Sequence, residues 1–245
     1  MSHQQVTITT GDGDCPAHVV TPDGAGPWPA VIIYMDALGM RSVLVEIAER
    51  LAKNGYIAFL PDLFYRAGAY EVPSPREVFA SGEAMKIIGP LMATTGAAKA
   101  AEDTRYFLDY LDGRSDFSGK AGTVGFCMGG GMAIAAAGTY PDRIAAAASF
   151  HGGRLASDAP DSPHLYAPRL KAEVYIAVAD NDQSYPPEME ERLEKSFTEA
   201  GVNYRSEHYP GALHGWMKPD FPIYNEEAAE RGWRAMLALF ARNLK

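Results

Sequence analysis

Short apolar runs bounded by turn residues alternate along the chain with longer stretches whose apolar residues recur at helical spacing. Val6 to Thr10 and Ala17 to Val20, on either side of Gly11-Asp12-Gly13, read as a starting hairpin. Ala30 to Met35 is an apolar strand, and Val43 to Lys53 is an amphipathic helix stopped by Asn54-Gly55. Ile57 to Leu60 is the next strand, ended by Pro61, and Ala97 to Leu111 is a helix turning Phe107, Leu108 and Leu111 toward a core. Thr123-Val124, Ala145 to Phe150, Val174 to Val178 and Tyr204 to Tyr209 continue the strands, and Glu226 to Leu244 closes the chain as a helix. Strands apolar throughout, rather than alternating, are buried on both faces, so this order predicts an α/β fold: a mostly parallel sheet flanked by helices on both faces. Phe64 to Thr95 departs from the pattern, with Gly, Pro and Met scattered through it. It reads either as a loop-rich lid over a site or as a plain surface insertion.

The chemistry concentrates at one strand-to-helix junction. The run from Lys120 ends in Gly125-Phe126-Cys127-Met128-Gly129, and an Ala-rich helical pattern begins at once. A nucleophile on such a turn stands clear of its own backbone, and here the apex residue is a cysteine where serine is usual. Glycines two before and two after it let strand and helix approach closely. The amino end of the following helix favours a thiolate.

Two downstream segments supply partners. Beyond the Val174 to Val178 strand lies Asp180-Asn-Asp182-Gln-Ser-Tyr-Pro-Pro187, an acidic loop before a proline-led helix. Asp182 is the preferred acid, and Asp180 reads as a turn or cap residue. Beyond Tyr209 lies Pro210-Gly-Ala-Leu-His214-Gly, where His214 is placed as a base. The order Cys127, Asp182, His214 is nucleophile, acid, base, as in the α/β-hydrolase fold. An oxyanion would then meet the backbone N–H groups of Met128, next to the nucleophile, and Ala37, in the loop after the first core strand.

These residues resemble the dienelactone hydrolase family from about Val19 to the C-terminal helix. The resemblance rests on Gly125-Phe-Cys-Met-Gly-Gly130, on Tyr34-Met-Asp-Ala-Leu-Gly-Met40 and on Gly55-Tyr-Ile-Ala-Phe-Leu-Pro-Asp-Leu63. It implies an α/β-hydrolase fold, a catalytic triad and hydrolysis of an ester or lactone, with no cofactor. In the family a glutamate beside the nucleophile shares its proton until substrate arrives, whereas this chain carries the shorter Asp36. Family enzymes acting on dienelactone also carry an arginine four residues after the histidine, to bind a substrate carboxylate. This chain has Lys218, which keeps the charge and loses the bidentate fork. Trp216 and His151 are further candidates for the substrate pocket. Tyr34, Phe64 and Tyr65 either line such a pocket or belong to the core.

Composition narrows the setting. A chain of 245 residues, 47% of them hydrophobic, builds one sizeable domain, here 1–245 with Phe64 to Thr95 as lid or insertion. A net charge of −9 argues against a nucleic-acid surface. With only two cysteines, no amino-terminal apolar segment and no apolar run of membrane-spanning length, the expectation is a cytoplasmic protein with reduced thiols, as monomer or small homo-oligomer. His3, His18, His164 and His208 show no metal-ligand spacing. The leading reading is a cysteine hydrolase of a small ester or lactone. The alternatives are a generalist carboxylesterase or thioesterase, and a non-hydrolytic thiol redox or ligand-binding protein on the same fold.

Overall fold

The computed structural model describes every residue, Met1–Lys245, and contains one eight-stranded sheet in the order β1-β2-β4-β3-β5-β6-β7-β8. The strands are β1 (Ser2–Thr10), β2 (Gly13–Thr21), β3 (Trp28–Tyr34), β4 (Ile57–Pro61), β5 (Phe117–Phe126), β6 (Ile144–Phe150), β7 (Glu173–Ala179) and β8 (Tyr204–Tyr209). The helices are α1 (Ser42–Lys53), α2 (Pro75–Ser81), α3 (Ala84–Met92), α4 (Ala97–Asp112), α5 (Met128–Thr139), α6 (Pro187–Glu199) and α7 (Glu226–Leu244).

β1 and β2 form the expected hairpin, with Thr10 opposite Gly13 across the Gly11-Asp12 turn, and β2 joins β4 antiparallel. From β4 to β8 every pairing is parallel. Burial follows topology. β4 is buried along its whole length, and β3 from its second residue onward, as expected for central strands covered on both faces. β1 is exposed over most of its length at the sheet edge.

Two consecutive residues of β5 show that both faces are covered. A Cβ on Gly122 would meet Phe240 and Leu244 of α7, while Thr123 Oγ1 donates to the carbonyl of Ala133 in α5. Successive strand residues point to opposite faces, so α7 and α5 lie on opposite sides of the sheet. α1 is tied to α7 by the two-pronged Arg50–Glu230 pair at 2.6 and 2.7 Å. α5 is buried nearly all round, with Gly and Ala along its length, which suits a helix packed between the sheet and α4.

Phe64 to Thr95 is more ordered than its scattered Gly and Pro suggest. A 3-10 turn spans Tyr65–Ala67, and α2 and α3 follow. Arg66 anchors the start by pairing with buried Asp103 of α4 at 2.9 and 2.8 Å, and Tyr70 donates to Asp62. α3 buries none of its residues, yet one side of it faces the mouth of a cavity. No helix of the protein is long and apolar enough to cross a membrane.

The junction of β5 and α5 is the tightest point of the fold. A Cβ on Gly125 would stand 1.8 Å from the carbonyl oxygen of Gly129, and one on Gly129 would stand 2.2 Å from that of Tyr34. Neither obstacle is a side chain able to rotate away. Gly125→Ala is therefore expected to cost about 3 kcal/mol, the upper end of ordinary overpacking, read as a lower urea midpoint with unchanged slope. Gly113→Ala, with φ −70 and its nearest obstacle at 3.4 Å, should stay within about 1 kcal/mol of wild type in the same titration.

Candidate active site

Cys127 sits between β5 and α5 with φ 56 and ψ −119, a conformation that non-glycine residues rarely adopt. Its N–H donates to the carbonyl of Phe150 at the end of β6, and its own carbonyl accepts from Gly130. The flanking backbone thus fixes the turn, and the sulfur is directed into a cavity of about 400 Å³. Met128 is the first residue of α5, so its N–H has no partner within the helix. Ala37, in the loop after β3, lines the same cavity together with Met128, Cys127 and His214.

His214 lies in the loop after β8, and its Nδ1–H donates to Asp182 Oδ2 at 2.6 Å. Asp182, in the loop after β7, receives two further bonds at its other oxygen, from the Ser184 N–H at 2.8 Å and the Ser184 hydroxyl at 2.6 Å. That hydroxyl also stands 3.2 Å from His214 Nδ1. The spacing Asp182-x-Ser184 is an Asx-type turn, a local signal from which Ser184 could have been read in the sequence. Asp180, by contrast, accepts from the N–H of Gly211 and holds the neighbouring turn.

The charges are coupled. Burial pushes the Cys127 thiol up, but the charge and hydrogen bonding of His214, with Lys218 adding to them, more than offset this and hold it below the ordinary thiol range. Burial works against a charged His214 as well, yet the negative charge of Cys127 and the Asp182 bond push it up to about 10. Asp182 is lowered, because the bonds from His214 and Ser184 outweigh its desolvation. Sulfur and imidazole therefore favour the thiolate–imidazolium form.

Three residues expected at the substrate lie behind this wall instead. Lys218 is fully buried, its Nζ 3.2 Å from Asp36 Oδ2 in an ion-pair contact without hydrogen-bond alignment. It sits over the rings of Phe221 and Phe126 at 4.8 and 5.1 Å. Backbone bonds from Trp216 to Leu213 and from Lys218 to Gly215 curl this segment inward. Trp216 is stacked on Tyr209 at 4.5 Å and is core. His151 is buried and touches the His214 ring edge-on at 5.2 Å, with both ring nitrogens unpartnered. Burial, then the charges of Lys218 and His214, drive it well below the ordinary histidine range, so it is neutral. Tyr34 and Phe64 are likewise core, and half-buried Tyr65 bonds Asp103 away from the cavity.

Asp36 is held elsewhere than expected of a residue sharing the thiol proton. It takes both prongs of Arg41 at 2.9 Å, the Leu38 N–H at 2.8 Å, and Lys218. Burial alone would raise it; Lys218 and Arg41 together hold it below the usual carboxylate range. Arg41 went unread in the sequence because nothing local marks its partner.

The cavity wall is completed by Met85, Ile88 and Met92 of α3, by Met132 and by Arg154. No three His, Cys, Asp or Glu side chains converge as a metal-binding group.

Comparison with known proteins identifies the family and supports the fold. A profile described as "Dienelactone hydrolase family" matches residues 15–244. A Synechocystis protein named "Putative carboxymethylenebutenolidase" is 29% identical over 98% of this chain and 96% of its own, and an Escherichia coli K12 protein of the same name is 27% identical over 96% and 84%. Among solved structures, a Klebsiella pneumoniae "Putative Dienelactone Hydrolase" superposes with a TM-score of 0.84 at 24% identity over 98% of each chain. The Anabaena variabilis dienelactone hydrolase superposes at 0.67 and 20% identity, over 100% of this chain and 99% of its own. The chain belongs to the dienelactone hydrolase family, as an α/β-hydrolase acting on ester bonds.

Proposed function

We propose that the protein hydrolyses small esters or lactones through a covalent acyl-enzyme on Cys127, with His214 as proton carrier and Asp182 as its orienting acid. The observation that carries this reading is that Cys127 and His214, from the turns after β5 and β8, line one cavity, with Asp182 of the loop after β7 bonded to His214 at 2.6 Å. A cavity of about 400 Å³ suits a small substrate. The name carried by the curated relatives points to a lactone as the substrate class.

The thiolate attacks the carbonyl carbon, and the electron pair of the C=O bond moves to oxygen, where the N–H groups of Ala37 and Met128 receive it. Collapse expels the alkoxide, which takes its proton from the imidazolium of His214. For a lactone the leaving alkoxide, or enolate, stays tethered to the acyl group. Water then attacks the thioester, giving a proton to His214, and the thiolate departs. Asp182 keeps Nδ1 as the donor, so that Nε2 faces the sulfur in every step. Ser184 holds Asp182 in the orientation that does this. Asp36, neutralised by Arg41 and Lys218, lends negative charge that only partly opposes the thiolate.

Cys127→Ala and His214→Ala should each lower kcat/KM for a p-nitrophenyl ester by about 10³-fold or more, and Asp182→Asn by a comparable factor, with unchanged far-ultraviolet dichroism. Near-wild-type turnover in any of the three would remove that residue from the mechanism.

The charge state can be read directly. The lowered Cys127 is ionised above its depressed pKa, and the raised His214 stays protonated up to about 10, so the ion pair spans the pH range between them. Alkylation of Cys127 by iodoacetamide should therefore keep its rate to a lower pH than that of an ordinary thiol. In His214→Ala it should fall about tenfold per pH unit below the ordinary thiol value near 8.5. Cys15 does not interfere, being buried and pushed up by burial and by Asp103 and Asp62. A wild-type profile that coincides with that of His214→Ala would mean that the pair is a neutral thiol and imidazole.

A further inference from the structure

Arg154 lines the cavity that holds Cys127 and His214, and it is exposed. Its guanidinium donates no hydrogen bond and makes no ion pair with the protein, unlike Arg41, Arg66 or Arg114. Its backbone is in the left-handed region, φ 55, directly after Gly152-Gly153, where a third glycine would sit without strain. The conformation is pinned by its N–H, which donates to the Ser184 carbonyl at 2.7 Å, so the residue is registered against the loop that carries Asp182. A strained, unpaired cation fixed in the wall of a reaction chamber calls for a ligand rather than a structural role.

The rest of the wall leaves that charge uncompensated. Lys218 is buried behind the chamber and faces Asp36. Asp161 is the one carboxylate lining the cavity, and it lies by Gly96 at the amino end of α4 and makes no ion pair with Arg154. The chamber's remaining lining includes Ala37, Met85, Ile88, Met92 and Met132. In a protein of net charge −9, a lone free cation at this place runs against the global field.

We infer that Arg154 is a specificity-determining residue of the cavity, selecting esters that carry a carboxylate or phosphate group remote from the reacting carbonyl. The inference rests on the hydrolytic reading for its catalytic arm and on binding alone for its second arm.

The test compares p-nitrophenyl valerate with p-nitrophenyl glutarate, with its phosphonate counterpart, and with a carboxy-nitrophenyl valerate that moves the charge to the leaving group. In wild type at least one charged ester should have a higher kcat/KM than the neutral one. In Arg154→Gln that preference should fall about tenfold, the size of one solvent-facing charge-assisted hydrogen bond, and the loss should lie in KM. Arg154→Lys should restore part of it. Arg154→Gly, which takes φ 55 without strain, should lose the preference at a Tm no lower than wild type. Which charged ester responds separates carboxylate from phosphate recognition. Equal losses on charged and neutral esters, or an unchanged ratio, would overturn the assignment. The corresponding anilides, titrated calorimetrically into Cys127→Ala protein and its Arg154→Gln derivative, read the same selectivity without turnover. Failure of hydrolysis would then sink the triad reading and leave Arg154 to be decided by binding.

Discussion

Everything in the site hangs on the backbone at Cys127. A cysteine at φ 56 is held where strand and helix approach so closely that Gly125 and Gly129 have no space for a methyl group. Left-handed backbone costs a non-glycine residue on the order of 1 kcal/mol or more, so the turn persists only because its surroundings over-determine it. The bonds to Phe150 and from Gly130 and the packing of α5 against the sheet do this. In return the sulfur leaves the sheet at its carboxyl edge, beside the amino end of a buried helix, where a thiolate is favoured.

Around that sulfur the two nearby carboxylates are assigned to different cations. Asp182 takes His214, and its second oxygen is saturated by Ser184. Asp36 takes Arg41 and Lys218 and has no share in the imidazole. Two anions without such partition would compete for one proton and raise each other. Here each carboxylate is held low by its own partners, and the positive charge left over on His214 settles on the thiol. The buried Lys218 is part of this balance; it cannot also reach a substrate. Removing one partner of a buried pair costs more than the pair itself supplies, which ties the fold's stability to the site's electrostatics.

Sequence reading recovered what burial writes as pattern. β3, β4, β6, β7 and α7 were legible because their apolar runs or stripes are continuous and their ends carry Gly, Pro or Asn. β5 was seen only at Thr123-Val124, since Ser118 to Lys120 near its start are exposed and give no alternation. α2 and α3 were invisible for a related reason: α3 buries nothing and carries Gly89 and Pro90 inside it. In the site, Cys127 directly follows β5, and Asp182 and His214 lie three and five residues past the ends of β7 and β8, so position along the chain brings them to one edge of the sheet. His151 directly follows β6 yet is buried behind the cavity wall, and Lys218 and Trp216 could not be placed either. A short turn decides which side of a loop a side chain takes, and spacing from His214 carries no information about that. Arg41 escaped altogether, its pairing with Asp36 being recognisable only in three dimensions.

The distribution of strain makes the same point from the other direction. The chain has four non-glycine residues at positive φ: Cys127, His151, Arg154 and Asn181. All four lie just beyond the carboxyl ends of β5, β6 and β7, on the edge that carries the cavity. Were these conformations incidental, they would scatter over the surface turns, where glycine instead fills Gly13, Gly68, Gly82, Gly119, Gly201 and Gly211. Where function is indifferent, the chain uses the residue that fits without cost. At Cys127 and Arg154, where a thiol and a cation face the cavity, the backbone carries strain so that the chemistry can stand there. The parallel sheet bears that strain by burial of its central strands, which is why its rigid middle and its strained rim belong to one design.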